Sequence, residues 1–259
     1  MTYSQLFEKM REMPLSEQQF YMYVKNIGGL YADIESELEL LKGAGAPICK
    51  QEYDGKIYFS LNTTHRLWQE CDLVFVDIET NGAKPQSCEI IEIGALKVRN
   101  GEIIERFESY VYASIVPENI TQLTGITQAD IALAPPKQVV LRRFRDFLDD
   151  GVFVAHNVSF DYGFLDYHLR QCGLFGLLNP KLCTIDLARK TILTTRYALS
   201  YLNTFLGINT PIAHRAYADA LTSFKVFEVA CCMLPLYVKS VQDLLDFSKG
   251  RIGYAQHSI

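Results

Sequence analysis

LVFVDIETNG, Leu73 to Gly82, opens as an apolar run of the kind that fills a sheet core and then sets two carboxylates two positions apart. Alternate side chains of a strand share a face, so Asp77 and Glu79 should point the same way a few ångströms apart. Burial and mutual repulsion push at least one of the two pKa values upward unless a cation or a basic side chain sits between them. The stretch therefore asks for a partner from elsewhere in the chain.

Two more strands follow. EIIEIGALKV from Glu89, a turn at Asn100-Gly101 and EIIERFESYVYA from Glu102 complete a β-meander with LVFVDIE. PENITQLTGIT and PPKQVVLRRFRDFLDD carry the Pro and Asn starts and the apolar spacing of helices, with Gly125 as a helix stop. DGVFVAHN reads as a short apolar strand, and FDYGFLDYHLRQCGL as a helix stopped at Gly173. KLCTIDLA is expected as another buried strand, with ALSYLNTFLGI and YADALTSFKVFEVACCML as two further helices. Antiparallel strands followed by strand–helix alternation imply an α/β fold, a mixed sheet with helices on its faces.

The first seventy residues differ in kind. Helical patterns run from LSEQQF through ADIESELELLKG and end in a hairpin, ICKQEYDGKIYFSL, turning at Asp54-Gly55. A winged helix-turn-helix has this order. Acids outnumber bases here, and ADIESELELLKG, where a recognition helix would lie, is acidic enough to be repelled by phosphate. A protein-docking role is thus favoured over DNA reading. The expected division is a small α+β winged-helix-like module at 1–69, the α/β domain at 70–235 and a tail at 236–259.

With 259 residues, 49% of them hydrophobic, the chain can build a full core. A net charge of -5 argues against coating nucleic acid through bulk positive charge, though it leaves a local basic groove open. The seven cysteines form no C-x-x-C pair and read as thiols of a reducing cytosol. MTYSQLFEKM lacks an apolar signal core, and no run approaches the ~18 apolar residues of a membrane span. A cytoplasmic protein without membrane contact is the expectation.

Two later segments supply acids in similar settings. In VFVAHNVSFDYGFL, a buried strand leads into a helix whose first turns carry Asn157, Phe160 and Asp161. In PIAHRAYADALTSF, His214 precedes Asp219, which lies in a helix with Leu221, Phe224 and Val226 nearby. An acid on the core-facing part of a helix is costly unless paired or ligating. Asp77, Glu79, Asp161 and Asp219 would converge at one sheet edge with no matching cluster of Lys or Arg. Hard divalent cations answer such an all-oxygen set, Mg²⁺ or Mn²⁺, and two of them roughly 4 Å apart clamp both sides of an in-line phosphoryl displacement.

D-I-E at 77–79, N-V-S-F-D at 157–161 and H-R-A-Y-A-D at 214–219 resemble the three motifs of the DEDDh 3′-5′ exonuclease family, and within it the proofreading epsilon subunits of bacterial DNA polymerase III. The likeness runs from about Leu73 to about Leu234 and takes in IIEIGALKV, LTGIT and KLCTIDLAR; ordered motifs over that length are far more specific than a lone D-x-E. It implies an RNase H-like fold and metal-dependent removal of nucleoside monophosphates from DNA 3′ ends, in replication proofreading or repair. By the same resemblance Asp77 bridges two metals, Glu79 and Asp219 complete one site and Asp161 holds the other. His214 is then the general base, suited to hold a proton near neutral pH. Asn157 and Phe160 contact the terminal sugar and stack on a base, and Ile78 and Thr80 line the pocket for the last nucleotide. Single-stranded 3′ ends and a polymerase III catalytic subunit are the implied partners.

Blander readings stand beside these. Asp77 and Glu79 could be a solvated strand end, Asp161 and Asp219 surface acids, His214 a capping histidine and Phe160 packing only; the joint occurrence of the motifs outweighs them. His156, at a strand end, reads better as a structural hydrogen-bonding group than as a catalyst. In the tail, Gln242, Leu245 and Phe247 form Q-x-x-L-x-F, similar to peptides that dock on sliding clamps, but Val241 and Leu244 fit an amphipathic helix packed on its own domain. An RNA-trimming exonuclease would share every motif, because the choice depends on how the 2′ position is met. A phosphatase with an Asp nucleophile would not carry the later H-x-x-x-x-D, and an inert scaffold of this fold would not need all five motif residues.

Overall fold

The computed structural model describes residues 1–28, 33–210 and 214–252. Helices α1 (Tyr3–Glu12) and α2 (Glu17–Ile27) each begin at a capping box, Thr2 with Gln5 and Ser16 with Gln19. The short strand β1 (Leu15–Ser16) lies between them. Helix α3 (Ile34–Gly43) starts where the Asp33 carboxylate accepts from the Ser36 amide. Strands β2 (Ile48–Tyr53) and β3 (Lys56–Leu61) are joined by Asp54 and Gly55, both at positive φ, the type I′ geometry that Asp-Gly favours. The three strands form an antiparallel sheet of order β1-β3-β2, and Leu6, Phe20, Leu41 and Phe59 make its sealed core.

The second sheet begins with β4 (Leu73–Thr80), β5 (Ile90–Arg99) and β6 (Glu102–Tyr110), the meander read from the sequence, with Asn100 and Gly101 at positive φ in its turn. Helices α4 (Glu118–Thr124), α5 (Gln128–Ile131) and α6 (Lys137–Leu148) lead to β7 (Val152–Ala155), which pairs parallel with β4. Helix α7 (Val158–Gln171), strand β8 (Lys181–Cys183) and helices α8 (Thr184–Thr191), α9 (Leu199–Phe205), α10 (Ala216–Cys231) and α11 (Val241–Ser248) complete the described chain. Sheet order is β6-β5-β4-β7-β8, so β4 is the central strand, antiparallel to β5 on one side and parallel to β7 on the other.

This position explains the unbroken LVFV run. Leu73 and Phe75 pack among Leu187, Phe224, Phe227 and Leu244 of α8, α10 and α11. Val74, Val76 and Ile78 pack on the other face among Val140, Phe144 and Phe164 of α6 and α7. With helices on both faces, no strand residue before Asp77 can be polar at low cost.

KLCTIDLA departs from the single buried strand expected of it. The strand stops at Cys183 and a helix starts at Thr184, because Thr184, Leu187 and Ala188 are buried with the i, i+3, i+4 spacing of one helix face. In the tail, α11 belongs to the same core as the sheet: Leu245 and Phe247 are only 6% and 1% exposed, and Gln242 accepts a hydrogen bond from Thr63. The Q-x-x-L-x-F side chains are thus committed to the fold, which removes the basis for clamp docking through Gln242, Leu245 and Phe247. No helix among the described residues is long and apolar enough to cross a membrane.

The N-terminal elements sit on the segment that leads into β8 and on α11. The Leu178 amide donates to the Ala44 carbonyl, Arg11 pairs with Asp246 at 3.0 Å, and Tyr3 meets Phe175 edge-on. Gly45, at φ +83, lets the chain pass so close to Asn179 that a β-carbon would lie 2.1 Å from its Oδ1, while the Asn179 amide donates to the carbonyls of Asp149 and Gly151.

Phe75 is fully buried, with ring centroids 5.2 Å from Phe224 and 5.3 Å from Phe227. Phe75→Ala should lower unfolding free energy by about 3–5 kcal/mol, through lost transfer energy and the cavity left under α10. Urea unfolding of the two proteins measures it.

Candidate active site

β4 runs past the end of its parallel neighbour. It pairs with β7 only from Leu73 to Phe75, whereas its ladder with β5 continues, setting Asp77 opposite Gly94 and Glu79 opposite Glu92. Asp77 and Glu79 lie on the face covered by α10, and Asp219 comes down from the first turn of that helix. Asp77, Glu79 and Asp219 each offer a carboxylate oxygen within 4.8 Å of the others. These are three of the four expected acids, and an oxygen set of this kind fits a hard divalent cation.

Asp161 is the fourth and stands beside the group. Where β7 ends, Asn157 adopts the left-handed conformation at φ 76 and the chain enters α7. This turn brings Asp161 against the edge of β4 that β7 has vacated, and its Oδ1 accepts from the Ile78 amide at 3.1 Å. The carboxylate thereby satisfies a backbone donor that no strand reaches, and it is 3% exposed.

His214 precedes α10 at φ 59, with its amide donating to Asp219 Oδ2 at 3.0 Å. The two residues line a cavity of about 400 Å³ with Leu199, Ser200, Asn203, Thr204 and Thr222. The four residues expected to hold the nucleotide are not among these lining groups. Asn157 is exposed, and Phe160 is half-buried with its ring 5.0 Å from Phe164. Ile78 and Thr80 alternate away from Asp77 and Glu79; Ile78 enters the α6–α7 core and Thr80 donates to the Gly82 carbonyl. Any contact of Ile78 or Thr80 with a ligand is therefore limited to what little of them is exposed, 5% and 9%. His156 joins Thr184 Oγ1 at 2.9 Å and the Tyr197 carbonyl at 2.7 Å, the structural bonding expected for it.

The sequence reading gave no role to Glu92 and Arg215. Glu92 is 1% exposed, and Arg215 grips it with Nη2 at 2.6 Å from Oε1 while donating to the Tyr110 hydroxyl. An acid inside the apolar run IIEIGAL was the available signal, with the same logic that singled out DIE. Gly94 is the other quiet participant: a β-carbon there would lie 2.0 Å from the Tyr217 amide nitrogen, so its bareness lets α10 settle on β5.

Every carboxylate of the group is driven toward its protonated form. Burial raises Asp77 well above the usual range, and the charges of Asp161, Asp219 and Glu79 push it further. Glu79 is raised to about 8, chiefly by burial and then by Asp219 and Glu92, with Arg215 offsetting part. Burial lifts Asp161 to about 7 against the amides that hold it. Asp219 is raised by burial, less so because His214 donates to it. Such a site stores repulsion that bound positive charge would relieve.

The sequence profile of the RNase T exonuclease family matches residues 74–227, more than half of the chain and all of the segment that carries these acids. The chain belongs to this exonuclease family. It resembles the DNA polymerase III epsilon subunit of Aquifex aeolicus, 35% identical over 156 residues, 60% of this chain and 77% of that protein. It also resembles the PolC-type DNA polymerase III of Staphylococcus haemolyticus, 34% identical over 177 residues; the match covers 67% of this chain but 12% of that much longer protein. Among solved structures, a zinc-bound E. coli exonuclease I complexed with single-stranded DNA superposes with a TM-score of 0.59 at 17% identity, over 65% of this chain and 42% of that one, a likeness of fold. The fold agrees with the RNase H-like expectation, and the family is one of exonucleases.

The raised carboxylates fix a pH dependence. Their folded pKa values exceed the ordinary ones, so the folded protein keeps protons that the unfolded chain releases, and the associated stability is lost as pH rises through about 7 to about 8. EDTA-treated protein should melt at steadily lower temperature as pH rises to about 8 and level off above it, Mn²⁺ should reverse the fall, and Asp77→Asn should flatten it. Calorimetry at constant ionic strength checks all three.

Proposed function

We propose that this chain hydrolyses the terminal phosphodiester of single-stranded DNA 3′ ends and releases nucleoside 5′-monophosphates, in proofreading or repair. The observation that carries it is the convergence of Asp77, Glu79 and Asp219 within 4.8 Å at the end of the central strand, with His214 tied to the last of them. Asp77, Glu79 and Asp219 bind the cations, and Asp161 stands against β4 to complete the set. Divalent ions held there, two of them and Mg²⁺ or Mn²⁺ by the all-oxygen donors, would supply Lewis-acid activation of a water and charge neutralisation at phosphorus. The His214 imidazole takes the proton of the attacking water, and the 3′ oxygen of the next nucleotide leaves. Asn157 and Phe160 meet the terminal sugar and base from the start of α7, with the exposed parts of Ile78 and Thr80 beside them.

DNA is favoured over RNA because the relatives with sequence identity above 30% carry the names of DNA polymerase III proteins. The names of the same relatives support association with a polymerase catalytic subunit, and a cytoplasmic location belongs to that reading. The winged-helix-like module at 1–69 serves protein docking: its contacts fall on the segment before β8 and on α11, whereas the carboxylates lie at the end of β4, which runs parallel to β7 and β8. That placement keeps the acidic α3 away from the DNA-handling end.

Incubation with Mg²⁺ or Mn²⁺ and 3′-labelled single-stranded DNA, mismatched duplex or RNA tests the proposal, with Asp77→Ala as control. Mononucleotide release from DNA, lost with Asp77→Ala and with EDTA, is expected; release confined to RNA would replace the DNA reading. His214→Ala should lower kcat by ~10²–10⁴-fold and leave KM within about threefold, as loss of a general base does. An unchanged kcat would remove His214 from the mechanism.

A further inference from the structure

We propose that Arg215 and Glu92 form a positioning clasp that sets His214 and Asp219 against β4; this rests on the hydrolase reading above. Glu92 lies directly across the ladder from Glu79, on the same face, yet it is not one of the clustered ligands. Both of its oxygens are taken. Oε1 accepts from Arg215 Nη2 at 2.6 Å and Nε at 3.2 Å, while Oε2 accepts from Arg215 Nε at 3.2 Å and from the Ala216 amide at 3.0 Å. A carboxylate so occupied holds a segment of chain in place and has little left to offer a cation.

The segment it holds is the one that matters. Glu92 and Gly94, two apart on β5 and thus on one face, receive Arg215–Ala216 and the Ala216–Tyr217 backbone respectively. From that seat the Asp219 amide donates to the Arg215 carbonyl at 3.0 Å, and Asp219 Oδ2 accepts from the His214 amide at 3.0 Å. Glu92, Arg215, Asp219 and His214 form one connected path from β5 to the base and one cation ligand. Tyr110 also holds the guanidinium, with its hydroxyl accepting from the same Nη2 at 2.9 Å and its ring 5.3 Å from Cζ. A planar fork with several donors fits this task, and an ammonium does not.

The clasp also keeps Glu92 from acting as a further uncompensated acid beside Glu79. Two other roles are open to such a pair: plain stability, or direct contact between the partly exposed guanidinium and a substrate phosphate. They separate by measurement.

Arg215→Lys, Arg215→Ala, Glu92→Gln and the double variant Glu92→Gln/Arg215→Ala should be compared with wild type in two assays. One is kcat and KM on 3′-labelled single-stranded DNA at a temperature where circular dichroism shows each protein folded. The other is Mn²⁺ affinity by titration calorimetry, which needs no turnover. A clasp lowers kcat about 10-fold in Arg215→Lys and about 100-fold in Arg215→Ala, with KM within about threefold, Mn²⁺ binding about tenfold weaker in Arg215→Ala, and the double variant no worse than Arg215→Ala because the two residues act as a unit. Wild-type kcat and Mn²⁺ affinity in folded Arg215→Lys and Glu92→Gln overturn it. So does a rise in KM alone, which makes Arg215 a substrate contact, or a double variant whose losses multiply. If Arg215→Ala does not fold, Arg215→Lys and Glu92→Gln decide. If wild type releases no nucleotide from any strand, the hydrolase reading fails and the Mn²⁺ titration still decides the clasp.

Discussion

Like charges held together at the end of a buried strand are the constraint on which the rest of this molecule turns. Extended backbone forces Asp77 and Glu79 onto one face, and the ladder with β5 places Glu92 opposite Glu79 on that same face. A helix lid then adds Asp219. Left alone these groups would protonate or swell apart. The fold instead pairs one of them, Glu92, with an arginine and leaves the other three clustered with carboxylate oxygens within 4.8 Å of one another. What separates Glu92 from the three clustered acids is therefore the presence of a single guanidinium.

Helix α10 carries both core side chains and one of the clustered acids. Ala216, Ala220, Phe224 and Phe227 are buried against the sheet, and the phenylalanines meet Phe75 two residues before Asp77. Packing at one end of the helix thus holds the carboxylate at the other. Dense apolar contact resists the repulsion locally, because a closely packed interior transmits strain and does not absorb it. The bare Gly94 and the Glu92–Arg215 pair set how closely the N-terminal end of α10 approaches, while Phe224 and Phe227 lock its far end under β4.

Much of this was legible in the chain. The apolar run before Asp77, the Asn100-Gly101 and Asp54-Gly55 turns and the strand–helix alternation follow from local rules of period and turn chemistry. The acids were legible because a carboxylate in an apolar context is conspicuous. Glu92 was conspicuous by the same rule, but its partner Arg215 lies 123 positions away, and no local pattern connects them. TIDLA read as a strand because a short apolar stretch fits both periods; only the packing of Thr184, Leu187 and Ala188 chose the helix. Gln242, Leu245 and Phe247 matched a docking peptide in composition, and burial against the sheet gave them other work.

The sequence by itself determined which elements form and which residues carry charge where charge is expensive, since both depend on near neighbours and on the cost of burying polar groups. Tertiary structure alone decided how those charges were shared out. It turned Asp161 to a backbone amide left open by the short β7, tied Glu92 to Arg215, and left Asp77, Glu79 and Asp219 facing one another. The physical reason is range: secondary structure is set within a few residues, whereas a coulombic partner is chosen by distance through space, and that distance exists only after the sheet and its helices have closed.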